Sequence, residues 1–184
     1  MALMCQSANS LPKVWLITDE RNDAFLEFAI RKLPKSSGIV FRHYHLSKAA
    51  RANRFAALRR LARKHHHLIL LADHPALARK WCADGVHGRQ WKRGETKGLL
   101  HSAPVHNVRE IRQARSNGTD IYFLSPVFVT RSHPGAKPLN KLQLRCLRSL
   151  CGDPVILMGG MNRQRFISSR HLNAHGWAAI DALS

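Results

Sequence analysis

Acidic residues are scarce in this chain. Its 184 residues hold 11 Asp and Glu against 30 Lys and Arg, a formal net charge of +19 before any of the 12 histidines is protonated. Such an excess favours anionic partners of any kind, from phosphorylated metabolites to nucleic acid, and says nothing of fold. Also missing is a basic motif interleaved with aromatics, the usual mark of nucleic-acid recognition. The charge therefore reads as a basic surface, and nucleic acid is not an expected partner. No stretch approaches the roughly 18 consecutive apolar residues of a membrane span, so no membrane partner is expected either. MALMCQSANS, residues 1–10, lacks both the basic start and the long apolar stretch of a signal peptide. Residues 1–11 read as a disordered N-terminal tail ahead of one domain over 12–184, in a cytoplasmic protein. Cys5, Cys82, Cys146 and Cys151 form no CxxC pair, which argues against zinc and disulfide sites and leaves reduced thiols.

What the chain does have is 45% hydrophobic content, arranged as short apolar runs separated by amphipathic stretches. Strands are expected at 14–19, 38–44, 68–73, 84–88, 99–105, 120–127, 154–160 and 176–183. Several are runs of consecutive apolar residues, as parallel strands covered on both faces require. Helices are expected at 24–33, 48–64, 75–82, 108–117, 139–150 and 163–174. Asn107 and Asn162 stand where N-caps belong, and Gly118 follows the helix that Asn117 ends. Eight strands in β/α alternation read as a (β/α)8 TIM barrel. Only a loop fits between Gly88 and Leu99, and the chain stops directly after strand eight. Reduced helices are therefore expected after strands four and eight, and a second subunit could cover these gaps in a homodimer.

Apolar runs that break into small, polar and Gly/Pro residues mark strand ends whose loops hold a ligand. SPVFVTRSHPGA (125–136) and PVILMGGM (154–161) do this, with LITDE (16–20), ADGVHG (83–88) and APVHN (103–107) in the same order. The set resembles the thiamine phosphate synthase and thiazole tautomerase superfamily over about residues 14–183. The resemblance implies a transferase of thiamine biosynthesis that binds phosphorylated thiazole and pyrimidine molecules. Such an enzyme condenses a thiazole phosphate with hydroxymethylpyrimidine diphosphate.

It also implies roles for residues. Gly159 and Gly160 match the phosphate loop, where absence of Cβ lets the backbone approach an anion. Replacing Gly160 by Asp is expected to abolish phosphate binding and leave the fold intact. Thr130, Ser132 and His133 match the loop that closes over substrate, with His133 in place of a lysine. Arg42 matches the arginine that contacts the pyrimidine diphosphate, while Tyr44 replaces a lysine. Asp73 is the one carboxylate kept from the Mg²⁺ pattern, so Mg²⁺ is expected to be weakly held or absent. Asp181 stands where the family has a serine segment facing phosphate. His106 matches the acid/base of the tautomerase branch, which moves a proton on a carboxythiazole phosphate without metal. Three readings stay open: the synthase reaction, the metal-independent tautomerase reaction, and a non-catalytic barrel that binds phosphate ligands or RNA. His65, His66 and His67 read as a solvated linker, since no carboxylate or cysteine joins them at ligand spacing.

Overall fold

The computed structural model describes residues 11–129 and 139–183. The expected tail, apart from Leu11, lies outside the described residues, as do Thr130, Ser132, His133 and Ser184. Eight parallel strands close into a barrel in sequence order. They are β1 Val14–Ile17, β2 Gly38–Phe41, β3 Leu68–Leu71, β4 Gly85–His87, β5 Leu100–Val105, β6 Ile121–Leu124, β7 Val155–Leu157 and β8 Gly176–Ala179. Closure pairs β1 with β8, Trp15 lying opposite Ala178. Between strands run α1 Leu26–Lys32, α2 Lys48–Lys64, α3 Pro75–Lys80, α4 Arg93–Thr96, α5 Val108–Ser116, α6 Lys141–Leu150 and α7 Arg163–Ser168.

The cover after β4 is thin, because few residues separate it from β5. A single turn, α4, follows β4, and a 3₁₀ turn, Asp181–Leu183, follows β8. Two expected helices are divided. The first is preceded by a 3₁₀ turn over Glu20–Phe25, and the last gives way to Arg170–Leu172, with Asn173 left-handed at φ 46°. Asn107 and Asn162 cap α5 and α7 as expected, accepting from the Glu110 and Arg165 N–H groups. Gly118 ends α5 at φ 70°, where a Cβ is disfavoured. Among the described residues, no helix is long and apolar enough to cross a membrane.

Alternation along the strands divides the core. Trp15, Ile17, Val40, Leu70, Ala72, Phe123, Ile156 and Ala178 fill the barrel. Leu16, Ile39, Phe41, Ile69 and Leu71 face the helices with Phe55 and Leu58 of α2. Trp15 is fully buried, donates its Nε1–H to the Pro12 carbonyl at 2.8 Å and meets Phe123 edge-on at 5.4 Å. Its β2 partner is Gly38, where a Cβ would stand 2.2 Å from the indole ring. Glycine there is the condition for a tryptophan inside so narrow a barrel.

His67 differs from the solvated-linker expectation, because it is buried. Its Nδ1 accepts from the Ser37 N–H at 3.2 Å, so its Nε2–H donates to the Ile30 carbonyl at 3.0 Å. Two backbone groups at the entry to β2 and the end of α1 are thereby satisfied.

Candidate functional site at the C-terminal mouth

The same alternation brings Arg42 inward at the end of β2, one step beyond Val40. Its guanidinium is 3.6 Å from the Asp19 carboxylate after β1. Its N–H donates to Thr18 Oγ1 at 3.0 Å, which leaves the hydroxyl proton for Nδ1 of His43 at 2.8 Å. His43 Nε2–H then donates to Asp23 at 2.8 Å. The imidazole stacks on Phe41 at 4.7 Å, its side chain fully enclosed, and burial pushes its pKa down although Asp23 pulls the other way. Arg54 of α2 completes this support, holding both Asp23 and Glu27. Thr18, His43, Asp23 and Arg54 thus fix the peptide that carries Arg42, and none of them was foreseen from the sequence.

Asp73 follows β3, where alternation turns it away from the barrel axis toward α2. There Arg51 holds it. The guanidinium meets one Asp73 oxygen, donates to the Ala72 carbonyl at 3.1 Å and, through Nε, to the Arg42 carbonyl at 2.8 Å. The second Asp73 oxygen accepts the His74 N–H at 2.7 Å. Arg51 is only 7% exposed. Its guanidinium carbon lies 5.7, 5.4 and 5.7 Å from the Phe41, Tyr44 and Trp81 rings, cation–π distances. Arg42 and Asp73, two expected site residues, are therefore brought together through a third that was not.

A signal for Arg51 existed in the sequence. The buried residues of α2 are Arg51, Phe55, Leu58 and Ala62, a helical stripe in which the first member is a cation. An arginine on an apolar stripe needs a carboxylate partner, and the half-buried Asp73 is that partner.

His87 ends β4 facing into the barrel. Nδ1 is 2.8 Å from Ser102 Oγ, and the ring meets Phe123 edge-on at 5.2 Å. Burial first, then the nearby Arg42 and His101, push its pKa down to about 3, so the mouth has an uncharged imidazole in its floor.

His106 follows β5 directly and is held from behind. Its backbone N–H donates to Glu110 at 2.8 Å, and Nδ1 is 2.7 Å from the same carboxylate oxygen. Arg89, from the loop after β4, pairs with the other Glu110 oxygen. Burial tends to raise the pKa of Glu110, but the hydrogen bonds from Arg89 and His106 outweigh it and keep the group below the usual carboxylate range. The carboxylate places the proton on Nδ1 and leaves Nε2 as the basic nitrogen. Glu110 and Arg89 were not foreseen as partners of His106, though Glu110 lies one helical turn on in APVHNVRE.

Gly159 and Gly160 follow β7 with φ of 94° and 59°. Their carbonyls are occupied, Gly159 accepting from the Phe128 N–H at 3.0 Å and Gly160 from Arg165. Among the described residues, no backbone group accepts from their N–H groups. A Cβ at Gly160 would lie 2.4 Å from the Val129 carbonyl, so this turn also needs glycine for packing against the loop after β6. Asp181 meets Arg21 at 3.7 Å, and Arg21 also holds Asp19 at 2.9 Å, so a cation stands against each carboxylate on this edge.

The donor set does not fit Mg²⁺. Asp73 has both oxygens engaged by Arg51 and a backbone N–H. Among the described residues, no three His, Cys, Asp or Glu gather as a metal would need.

Residues 14–183 match the family model described as thiamine monophosphate synthase. A thiamine-phosphate synthase of Chlorobium phaeobacteroides is 26% identical over 182 residues, 94% of this chain and 88% of that protein. One from Chloroflexus aurantiacus is 27% identical over 152 residues, 79% of this chain and 70% of that protein. The solved thiamine phosphate pyrophosphorylase of Pyrococcus furiosus superposes with a TM-score of 0.79 at 23% identity, over 95% of this chain and 88% of that one.

Proposed function

Since the chain belongs to the thiamine monophosphate synthase family, we propose that it acts in thiamine biosynthesis on a thiazole phosphate at the barrel mouth, with His106 moving a proton on the thiazole ring. One observation carries this reading: Nδ1 of His106 is 2.7 Å from Glu110, itself pinned by Arg89. An imidazole so oriented has one fixed and one free nitrogen, as a general base requires. Nε2 takes a proton from a ring carbon of a carboxythiazole phosphate, and the C–H electron pair enters the ring. The same nitrogen returns the proton at the atom that completes the aromatic tautomer. Arg42 and the N–H groups of Gly159 and Gly160 hold the phosphate. Thr130, Ser132 and His133 belong to the same reading as the loop closing over it.

The test is to incubate the protein with carboxythiazole phosphate alone and follow isomer exchange by NMR. Replacing His106 by Ala should remove roughly 10²–10⁴-fold of the rate. Unchanged exchange in His106→Ala would refute the role.

A second reading, condensation with hydroxymethylpyrimidine diphosphate, is favoured by Arg42, which stands at the mouth beside Asp19 where a diphosphate would need a cation. Release of pyrophosphate on mixing both substrates would support it in place of the first.

A further inference from the structure

We propose that Arg51 is a resident cation that takes the place of a divalent metal on Asp73, so that this carboxylate is not available to Mg²⁺. The inference rests on family membership, not on which of the two reactions is catalysed.

Three features carry it. First, the guanidinium spans the ends of two strands, joining the Asp73 carboxylate, the Ala72 carbonyl and the Arg42 carbonyl. It cannot leave Asp73 without abandoning two carbonyls, which then lack donors. Second, the Phe41, Tyr44 and Trp81 rings surround it, a setting that suits a broad, weakly hydrated guanidinium. Mg²⁺ sheds its water reluctantly and wants octahedral oxygen ligands, so three aromatic faces offer it nothing. Third, apart from the exposed Glu20, the other carboxylates of the mouth are already engaged. Asp19 and Asp181 face Arg21, and Asp23 is held by Arg54 and His43. Glu95 caps its own helix, accepting the Lys92 N–H at 2.9 Å. A dication placed on Asp73 would also meet Arg51 and, through its carbonyl link, the strand end that carries Arg42. The cation on Asp73 is therefore built into α2 as a side chain.

Binding of Mn²⁺, a spectroscopic substitute for Mg²⁺, tests this without any turnover. Electron paramagnetic resonance should find no specific Mn²⁺ binding to the wild-type protein at millimolar metal, and Asp73→Asn should change nothing. Arg51→Met keeps the length and the ring contacts but releases the carboxylate. It should bind Mn²⁺ about tenfold or more tightly than wild type, and adding Asp73→Asn to it should abolish the gain. Wild-type binding of Mn²⁺ that Asp73→Asn removes would overturn the proposal, whether or not Arg51→Met folds. If Arg51→Met folds and gains no Mn²⁺ affinity, the proposal also fails. Loss of isomer exchange in His106→Ala bears only on the catalytic reading, so the two can fail separately.

Discussion

His87 turns the floor of the mouth into a test of stability against pH. In the folded protein its imidazole faces Ser102 and Phe123, and burial holds its pKa at about 3. In the unfolded chain the same group returns to about 6.5. Between those values the unfolded chain binds a proton that the folded chain refuses, so acid favours unfolding. The contribution is complete above pH 6.5 and declines steadily as pH falls toward 3. Each pH unit inside this window is worth about 1.4 kcal/mol, so moving from pH 6.5 to 5 costs about 2 kcal/mol from this residue alone. Replacing His87 by Leu removes the titration and keeps an apolar side chain in the barrel. Urea unfolding at pH 7 and pH 5 should show the wild type losing about 2 kcal/mol more than His87→Leu over that step. His43 and His67, also depressed by burial, titrate in both proteins and cancel in the difference. Parallel losses in the two proteins would refute the claim that His87 is folded in as the neutral form.

Other substitutions probe the architecture and the site. Gly38→Ala pushes a methyl into the Trp15 ring, which Pro12 and Phe123 hold in place, and should cost about 1–3 kcal/mol or more in chemical denaturation. Gly160→Asp should weaken inorganic phosphate binding in calorimetry and also lower the melting temperature. The expectation of an intact fold does not survive the 2.4 Å approach of a Cβ to the Val129 carbonyl. Glu110→Gln keeps the shape behind His106 but not the charge, and should cost part of the roughly 10²–10⁴-fold that His106→Ala removes, in kcat rather than KM. A change confined to KM would remove Glu110 from the orienting role.

How much of this was legible in the chain depends on which interactions each feature needs. LILL and IYFL read as strands because a barrel strand is buried on both faces, and burial alone writes the pattern. The thin cover after β4 was legible from length, because the residues between Gly88 and Leu99 leave room for little more than the single turn α4. The expected strands 38–44 and 68–73 overrun β2 and β3, because at Arg42 and Asp73 the Arg42 N–H and the Asp73 carboxylate turn to side chains, Thr18 and Arg51. The partners of the site residues were harder. Asp23 supports His43 across 20 positions, and Arg51 meets Asp73 across 22, separations at which no helical or strand periodicity speaks. His67 was misread for a related reason: three histidines in a row look solvated until Ile30 and Ser37 come to flank one of them.

The scarcity of acid explains why the site took this form. With 11 carboxylates against 30 Lys and Arg, each Asp or Glu near the fold's working parts is contested by arginines. Asp84 and Asp120 are used at strand starts, accepting the Ile69 and His101 N–H groups at 2.8 Å. Asp153 meets Arg148, and Glu27 meets Arg54. Glu20 alone has no such partner among the described residues, and it lies exposed on the first turn after β1. A divalent ion needs carboxylates left over once the protein's own cations and backbone donors have been served. At the mouth this chain leaves only the exposed Glu20, and it has arginines to spare. Under that balance, phosphate charge is met most directly by fixed guanidinium groups, and proton transfer by a histidine needs no metal at all. The scarcity of uncommitted carboxylates thus accords with the proton transfer proposed for His106, a step that asks for no metal.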